Sequence, residues 1–539
     1  GRYEESLSLA EQTYKESLGL GKNLQSVDCF ILIAESLLWL SKFDEAFDLI
    51  KQGKELLKAL PQELLADYNQ RESYLAYIKG FIYAYTGKID LGINCLKQSL
   101  ELGEKTDFKR INALTLKVLA WYTAMYKGDM DLAFPYIKKG LAIAKESKNK
   151  FTIAQCLVSL GEIYHFTGDW ERALKIFKES LSLFEELDNK VRMWVSLFNM
   201  ARIYRDFTED IDSASEYIKM SLAVYNENEE ANYLWAGSRF YTAITIALKK
   251  GDHEGAKKYL QNFKHINSQT KDKYVDLGYR LSKALILKAS PRFRDIVKAE
   301  KILRQIVTEE VFYLEYIRVA LINLCDILLG EFRLTNNLEI LNELEPLIMQ
   351  LLSLAEKTQS HSIQVETYLF QAKLALLSFN VKKSRRFLTQ AQQVAERYNL
   401  DKLAQEISSE HKNLIDSLEL WEQLKESKAP LSERFKLAQI SEQMERMHRA
   451  RMVLTAQIRE EKVVISKEKK ICLVCRGEVF GFSYACKCGA NYCENCARAV
   501  ADLENVCWAC DNPIDYSKPS QPYKEEEERI EVQEKVKKK

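Results

Sequence analysis

The chain has 539 residues, which exceeds the size of one ordinary hydrophobic core and predicts several domains or an elongated repeat array. Its 78 Lys and Arg against 77 Asp and Glu give a net charge of +1, so it has no global field to attract nucleic acid and no nucleic-acid partner is expected. The low numbers of Gly (20) and Pro (8) indicate a helical protein. No apolar run is long enough to span a membrane.

A short turn followed by a helix recurs from the first residues onward. A small residue marks each copy, and successive marks are 40 to 46 residues apart. The marks are Ser6, Ala46, Gly92, Ala133, Ala173, Ala214 and Ala256; Ala299 and Ser384 continue the register, with a weaker unit near Leu341. We therefore predict about ten helical hairpins over residues 1–395. Gly1 falls within a repeat and no initiator Met precedes it, so we expect a further domain before it.

The apolar positions of each unit explain how the hairpins pack. Gly or Asp ends one helix and caps the next, and the small residue lets the two helices approach closely. Ala173, Ile176 and Phe177 recur at helical spacing and form one apolar face. A single hairpin cannot bury such a face, so the units stack into an α-solenoid and the fold class is all-α.

The unit at residues 152–189 resembles the tetratricopeptide repeat family. The matching positions are Leu160, Gly161 and Tyr164 in the first helix and Ala173, Phe177 and Ser180 in the second. Gly80, Tyr83 and Gly92 match in an earlier unit. The step exceeds the usual repeat of about 34 residues and is similar to the longer-helix arrays of bacterial signalling ATPases and vesicle-adaptor proteins. The resemblance implies a concave face that binds a protein or peptide partner.

Residues 396–465 interrupt the repeat and predict a helical cap or bridge. A helix is expected over residues 418–425, and Ser432 is the predicted N-cap of the next one. An apolar stripe follows, formed by Phe435, Leu437, Ile440, Met444 and Met447. It either covers the open end of the solenoid or forms a two-helix dimer seam; we favour the cap, because terminal repeats need covering. Residues 463–466 predict a short strand.

Eight of the twelve cysteines lie between residues 472 and 510, in four close pairs. The pairs are Cys472 with Cys475, Cys486 with Cys488, Cys493 with Cys496, and Cys507 with Cys510. Two thiolates from each of two turns complete a tetrahedral site, so eight thiols predict two structural Zn²⁺ ions. A disulfide scaffold is disfavoured, because the other four cysteines are single residues in apolar helical stretches. Metal clusters are typical of reducing compartments, so we expect a cytoplasmic protein.

The spacing of these pairs, over residues 466–516, resembles cross-brace zinc fingers of the RING type. In that family the first and third pairs share one ion, and the second and fourth share the other. The resemblance implies one zinc on Cys472, Cys475, Cys493 and Cys496, and a second on Cys486, Cys488, Cys507 and Cys510. Sequential pairing, with the first two pairs on one ion, stays open. The family usually has a His ligand, and none is present here. Lipid-binding FYVE fingers are a more distant resemblance, since no basic cluster precedes Cys486.

Three hypotheses for function remain. The leading one is a non-enzymatic scaffold whose solenoid binds one protein or peptide and whose zinc module binds a second partner. The main rival is a RING-like ubiquitin ligase that recruits a ubiquitin-conjugating enzyme; the candidate contact residues are Val474, Leu503 and Trp508. The third is the regulatory C-terminal part of a signalling ATPase or transcription regulator. No catalytic residues are predicted, because the nucleotide-loop, metalloprotease and hydrolase motifs are missing. Residues 517–539 predict a charged, flexible tail.

Overall fold

The computed structural model describes residues 3–449 except 21, 40–41, 59–64, 128, 209, 227–232, 270–271, 310–313, 359 and 399. Further along it describes 472–474, 479, 483–488, 490–503, 505–508 and 512–513. The expected strand at 463–466 and the expected tail at 517–539 lie outside these residues. The chain divides into two compact units at residue 327, and each is described by itself. None of the described helices is long and apolar enough to cross a membrane.

The first unit is entirely helical in the residues that are described. Its helices, the last of which continues past residue 327, are α1 (Tyr3–Gly19), α2 (Asn23–Trp39), α3 (Phe43–Lys58), α4 (Leu65–Tyr85), α5 (Ile89–Lys105), α6 (Lys109–Lys127), α7 (Met130–Glu146), α8 (Lys150–Phe166), α9 (Trp170–Glu186), α10 (Lys190–Ile203), α11 (Ile211–Asn226), α12 (Tyr233–Lys249), α13 (His253–Gln269), α14 (Lys273–Lys288), α15 (Phe293–Val307) and α16 (Leu314–Thr335). A short π-helical turn, Tyr204–Thr208, follows α10. This confirms the predicted all-α repeat.

Side-chain caps set the boundaries of the central helices. Asp129, Asn149, Asp169 and Asn189 each precede a helix, and each accepts a hydrogen bond from the backbone N–H three residues later. Such a cap satisfies a helix-terminal donor that has no partner within the helix. The four caps fall 20 residues apart, so the chain alternates between the two helices of each hairpin with a regular half-period.

The helices of the first unit form two layers. Each even-numbered helix from α2 to α14 packs on the helix that follows it, and successive even-numbered helices also contact each other directly. The odd-numbered helices pack between even-numbered neighbours. Successive repeats therefore lie closest along the even-numbered helices, so these helices form the concave side of the array. We call α2, α4, α6, α8, α10, α12 and α14 the inner layer.

The small residues that mark the repeats lie where two helices touch. Six are fully buried alanines near the start of odd-numbered helices: Ala46, Ala133, Ala173, Ala214, Ala256 and Ala299. The facing helix supplies a glycine in some repeats. A Cβ atom at Gly80 would lie 2.8 Å from Leu96 Cγ and 3.0 Å from the Gly92 carbonyl oxygen. At Gly161 a Cβ would lie 2.8 Å from the ring of the buried Phe177. Small residues thus permit the close packing that the repeat pattern predicts.

The second unit contains further helices and a two-stranded sheet. They are α17 (Glu339–Lys357), α18 (His361–Leu377), α19 (Val381–Arg397), α20 (Asp401–Asp416), α21 (Leu418–Glu426), α22 (Leu431–Leu437), α23 (Ile440–Arg449), β1 (Ser483–Ala485), β2 (Asn491–Cys493) and α24 (Glu494–Leu503). The expected helix at 418–425 is α21. The prediction of Ser432 as N-cap is wrong: α22 begins at Leu431, directly after the extended Pro430, which places Ser432 inside the helix.

Helices α22 and α23 fold back onto α18. Four members of the apolar stripe are buried there, namely Phe435, Ile440, Met444 and Met447. Polar groups are buried with them: Gln443 donates to the Glu366 carboxylate at 2.9 Å and to its carbonyl oxygen at 3.1 Å. Arg446 Nε lies 3.4 Å from the same carboxylate. The stripe is therefore used within the chain, which leaves little of it for a dimer seam.

Candidate functional site

A row of polar and aromatic side chains follows the inner layer across three helices. We call it the inner row; its members are Lys117 and Trp121 on α6, Gln155 and Glu162 on α8, and Arg192, Asn199 and Arg202 on α10. Except for the buried Asn199, these side chains are half-buried, although the helices around them are otherwise largely apolar. Such polar positions on a packed helix mark a surface that remains within reach of solvent or a ligand.

Hydrogen bonds join the inner row from one repeat to the next. Lys117 Nζ donates to Gln155 Oε1 at 3.5 Å, which connects α6 to α8. Asn199 Nδ2 donates to Glu162 Oε1 at 3.5 Å, which connects α8 to α10. Arg202 then donates to Asn199 Oδ1 at 3.1 Å. The bonds orient the polar groups without cancelling their charges.

Burial shifts the ionisation of the inner row. It lowers the pKa of Lys117 to about 8, and Arg192 nearby acts in the same direction. It also lowers the pKa of Arg202 and raises that of Glu162. Among the described residues, neither Lys117 nor Arg202 makes an ion pair. The protein thus holds two partly desolvated cations at an energetic cost that a bound anion would offset.

The cysteines of the second unit gather in two groups. Strands β1 and β2 pair antiparallel, and an isolated bridge from Cys472 to Asn491 extends them. The Sγ atoms of Cys472, Cys493 and Cys496 all lie within 4.8 Å of one another. Those of Cys486, Cys488 and Cys507 do the same. Each group therefore brings together thiols that are distant in sequence.

This grouping bears on the two pairing schemes. Cys472 lies with the third pair, and Cys486 and Cys488 lie with Cys507 of the fourth pair, as cross-brace ligation requires. Under sequential pairing Cys472 would instead lie with the second pair. The remaining predicted ligands, Cys475 and Cys510, fall outside the described residues.

The sulfur geometry fits a tetrahedral thiolate site. Zinc–sulfur bonds of about 2.3 Å in a tetrahedron place neighbouring sulfurs roughly 3.8 Å apart. Cys488 Sγ and Cys507 Sγ are 3.7 Å apart. The Cys493 N–H donates to Cys472 Sγ at 3.4 Å, a bond that stabilises a thiolate in the other group. The donor set is all sulfur, which zinc accepts readily.

A buried tyrosine supports the second cysteine group. Tyr492 Oη lies 3.0 Å from Cys507 Sγ and also accepts a hydrogen bond of 3.0 Å from the Trp508 N–H. A metal-bound thiolate carries no proton, so in a loaded site the phenol would be the donor to the sulfur. Tyr492 therefore fixes the position of the thiolate from outside the ligand set.

The three residues proposed to contact a conjugating enzyme have different surroundings. Val474 is fully buried in the core of the cysteine module, beside Tyr492 and Val500. Trp508 is half-buried, and its ring lies under the guanidinium of Arg386 on α19, 5.5 Å from the ring centre. The side chain of Leu503 lies outside the described residues. The burial of Val474 removes it from the accessible surface.

Sequence reasoning missed the inner row, Tyr492 and Arg386. The inner row did give a usable signal in the sequence: polar residues interrupt otherwise apolar even-numbered helices about one repeat apart, as Glu162 and Asn199 do. Arg386 gave no such signal, because its partner Trp508 is more than a hundred residues away in the sequence.

Comparison with known proteins bears on the helical part of the chain. TPR repeat-containing protein MJ1428 of Methanocaldococcus jannaschii is 25% identical over 334 residues. The match covers 54% of this chain and 53% of that protein, so the chain spans about half the length of this curated relative.

Three solved structures align with similar coverage. A Rap protein complexed with competence and sporulation factor has a TM-score of 0.44 at 16% identity, over 62% of this chain and 99% of that one. The apo quorum sensor NprR from B. thuringiensis has a TM-score of 0.42 at 15% identity, over 64% and 96%. Yeast Tom70 has a TM-score of 0.38 at 14% identity, over 75% and 92%.

The family comparison is decisive for classification. A family model described as the MalT-like TPR region matches residues 74–398, which is more than half of the chain. The match includes the inner row and the helices from α5 to α19. The chain belongs to the MalT-like TPR region family.

Proposed function

We propose that this protein is a non-enzymatic scaffold whose inner layer binds an extended segment of a protein partner. The observation that carries the proposal is the inner row, a set of mostly half-buried polar and aromatic groups on α6, α8 and α10. Packing alone does not require these groups. Solenoids use such layers as extended binding surfaces, because each repeat contributes the same positions in turn.

A block placed on the inner layer tests this function. Gln155→Trp would fill the centre of the inner row, whereas Lys178→Trp adds the same side chain at an exposed position of the odd-numbered helix α9. A random library of twelve-residue peptides would be selected on each immobilised protein. We expect enrichment on the wild type and on Lys178→Trp, and loss of at least tenfold in recovery on Gln155→Trp. Equal recovery on both variants would place binding elsewhere.

We further propose that the cysteine module is a RING-like cross-brace finger with two structural zinc ions. The 3.7 Å sulfur separation and the two mixed cysteine groups support this assignment. Bound zinc would neutralise the thiolates and supply folding free energy, on the order of 10 kcal/mol per ion. Four thiolates leave no open position, so the ions would have no hydrolytic role.

Metal analysis tests the module. We expect two zinc ions per chain by elemental analysis, and cobalt substitution should give the spectrum of tetrahedral tetrathiolate sites. One ion per chain would contradict the paired sites. Octahedral cobalt would contradict the thiolate set.

A ubiquitin-ligase role is the alternative for the same module. Val474, an apolar residue inside the first cysteine pair, is fully buried, which favours the scaffold. Adding the zinc-loaded protein to a panel of ubiquitin-charged conjugating enzymes should therefore not accelerate their discharge. Accelerated discharge that is lost in Val474→Ala would establish the ligase instead.

A further inference from the structure

We infer that the inner row selects an extended peptide with two acidic side chains about six residues apart. The inference rests on the scaffold function proposed above and defines its partner. The two positions would meet Lys117 on α6 and Arg202 on α10, which are half-buried cations. A neutral or donor-bearing residue between them would meet Glu162 on α8.

The charge of the inner row favours acidic side chains in the ligand. Buried cations in proteins are normally paired, because an unpaired charge loses hydration without compensation. Lys117 has one amide oxygen as hydrogen-bond partner and Arg202 has another. Glu162 attracts both cations and Asp206 attracts Arg202, but neither cation makes a direct ion pair among the described residues. Carboxylates would complete both sites through charge-assisted hydrogen bonds. Acidic side chains therefore fit better than neutral or basic ones.

The distance between the helices that carry the two cations favours an extended peptide. Lys117 and Arg202 lie on inner-layer helices that have α8 between them, and packed helices are about 8–10 Å apart. Two such steps separate the axes of α6 and α10 by roughly 20 Å, and an extended chain covers that span in about six residues at about 3.3 Å each. A small anion would reach one cation only. The surface therefore fits a peptide rather than a free metabolite.

The carboxylate in the middle of the inner row disfavours a third acidic side chain in the ligand. Glu162 lies between the two cations in helix order and accepts a hydrogen bond from Asn199. A third acidic side chain at this point would face a carboxylate of like charge. An amide, hydroxyl or basic side chain would instead donate to Glu162. The row thus distinguishes two separated acidic residues from a continuous acidic run.

Aromatic rings lie beside the two cations. Trp121 lies one helical turn from Lys117 on α6. The guanidinium of Arg202 lies 5.5 Å from the centre of the Phe198 ring on its own helix. This stacking keeps the cation in place while leaving its donors available. Apolar side chains next to the acidic residues would find contact area here.

The random peptide library tests the inference when its products are sequenced. Selections would be run on the wild-type chain, on Lys117→Gln, on Arg202→Gln and on Lys178→Gln, an exposed control of the same charge change on α9. We expect wild-type products to be enriched in pairs of Asp or Glu five to seven residues apart. A synthetic peptide from that pool should bind about tenfold more weakly to each inner-row variant and equally well to the control.

The other outcomes distinguish failure of this inference from failure of the proposed scaffold function. Enriched peptides that are neutral or basic, or whose acidic residues lie at random spacing, would overturn the acidic pattern and leave peptide binding intact. Recovery no better than on blank beads would overturn both this inference and the scaffold function. Lys117→Arg keeps the charge and should retain binding; if it fails as Lys117→Gln does, the lysine acts through packing and the inference is refuted. Helical circular dichroism of each variant confirms that it folds.

Discussion

The close approach of α4 and α5 makes Gly80 a sharp test of the repeat architecture. In Gly80→Ala the new methyl group would lie 2.8 Å from Leu96 Cγ and 3.1 Å from the Leu96 backbone nitrogen. Ordinary carbon contacts are about 3.5–4.0 Å, so the two helices must separate by about 0.5–1 Å. A change of rotamer cannot relieve the backbone contacts.

The expected change in the free energy of unfolding of Gly80→Ala follows from two opposing effects. Overpacking a core costs about 1–3 kcal/mol, and backbone contact places this site in the upper part of that range. Replacing Gly by Ala inside a helix returns about 1 kcal/mol of helix propensity. The net loss is about 1–2 kcal/mol, which corresponds to roughly a 5–30-fold change in a local opening equilibrium.

Hydrogen exchange read by mass spectrometry is the appropriate assay, because repeat arrays unfold in parts rather than in one step. We expect faster exchange in peptides from α4 and α5. Gly330→Ala is the matched control: Gly330 is exposed within α16 and a Cβ there would have no neighbour within 4 Å. The control should slow exchange in α16 by up to about fivefold, as helix propensity alone predicts. Unchanged or slower exchange in α4 and α5 of Gly80→Ala would refute the close-approach argument.

Three further predictions concern the sites. Cys493→Ser should unfold the cysteine module and leave the helical circular-dichroism signal nearly intact; a large loss of helix would show instead that module and repeats unfold together. Tyr492→Phe removes the donor to Cys507, so a chelator should withdraw the ion of that site faster than in the wild type, and equal rates would contradict the oriented hydrogen bond. The pKa of Lys117 near 8 means that its charge is present at pH 7 and about tenfold depleted at pH 9. Affinity for an acidic peptide should therefore fall up to about tenfold over that interval in the wild type and stay constant in Lys117→Arg, whereas a wild-type affinity that does not change would exclude this role.

The titratable groups that face Lys117 are consistent with an affinity that falls as the pH rises. They are Cys156 and Glu162 on α8, Arg192 on α10 and Glu35 on α2. Burial raises the pKa of Cys156 to about 12, so its thiol stays neutral throughout the interval. Burial raises the pKa of Glu162 from its usual acidic range. The ammonium of Lys117 therefore loses its charge between pH 7 and pH 9, and Lys117→Arg removes that change.

The repeat could be predicted because its signals are local. A capping Asp or Asn and the small residue four positions later depend only on neighbouring residues, so Asp169 and Ala173 at the start of α9 were informative without a structure. The polar partners could not be predicted in the same way. Which face of α8 belongs to the inner layer depends on how successive hairpins stack, and that determines whether Glu162 is near solvent or near Asn199.

In the region after the repeats, too, local features could be predicted and long-range contacts could not. The four cysteine pairs were evident from spacing, whereas the burial of Val474 follows from how the module core closes around it. The N-cap of α22 was misplaced by two residues because Pro430, rather than the hydroxyl of Ser432, determines where the helix begins. Long-range contacts such as Arg386 with Trp508 need the folded chain.

The buried contact between α18 and α23 has a consequence for how such chains diverge. Glu366 depends on Gln443 and Arg446, which lie more than seventy residues later in the same polypeptide. A single substitution at any of the three leaves a desolvated group unsatisfied, so these positions should change together across lineages. Positions of the inner row on α6 and α10 depend instead on whatever the protein binds. New binding preferences could therefore arise on those helices by stepwise drift, while the α18 contact is inherited as a block.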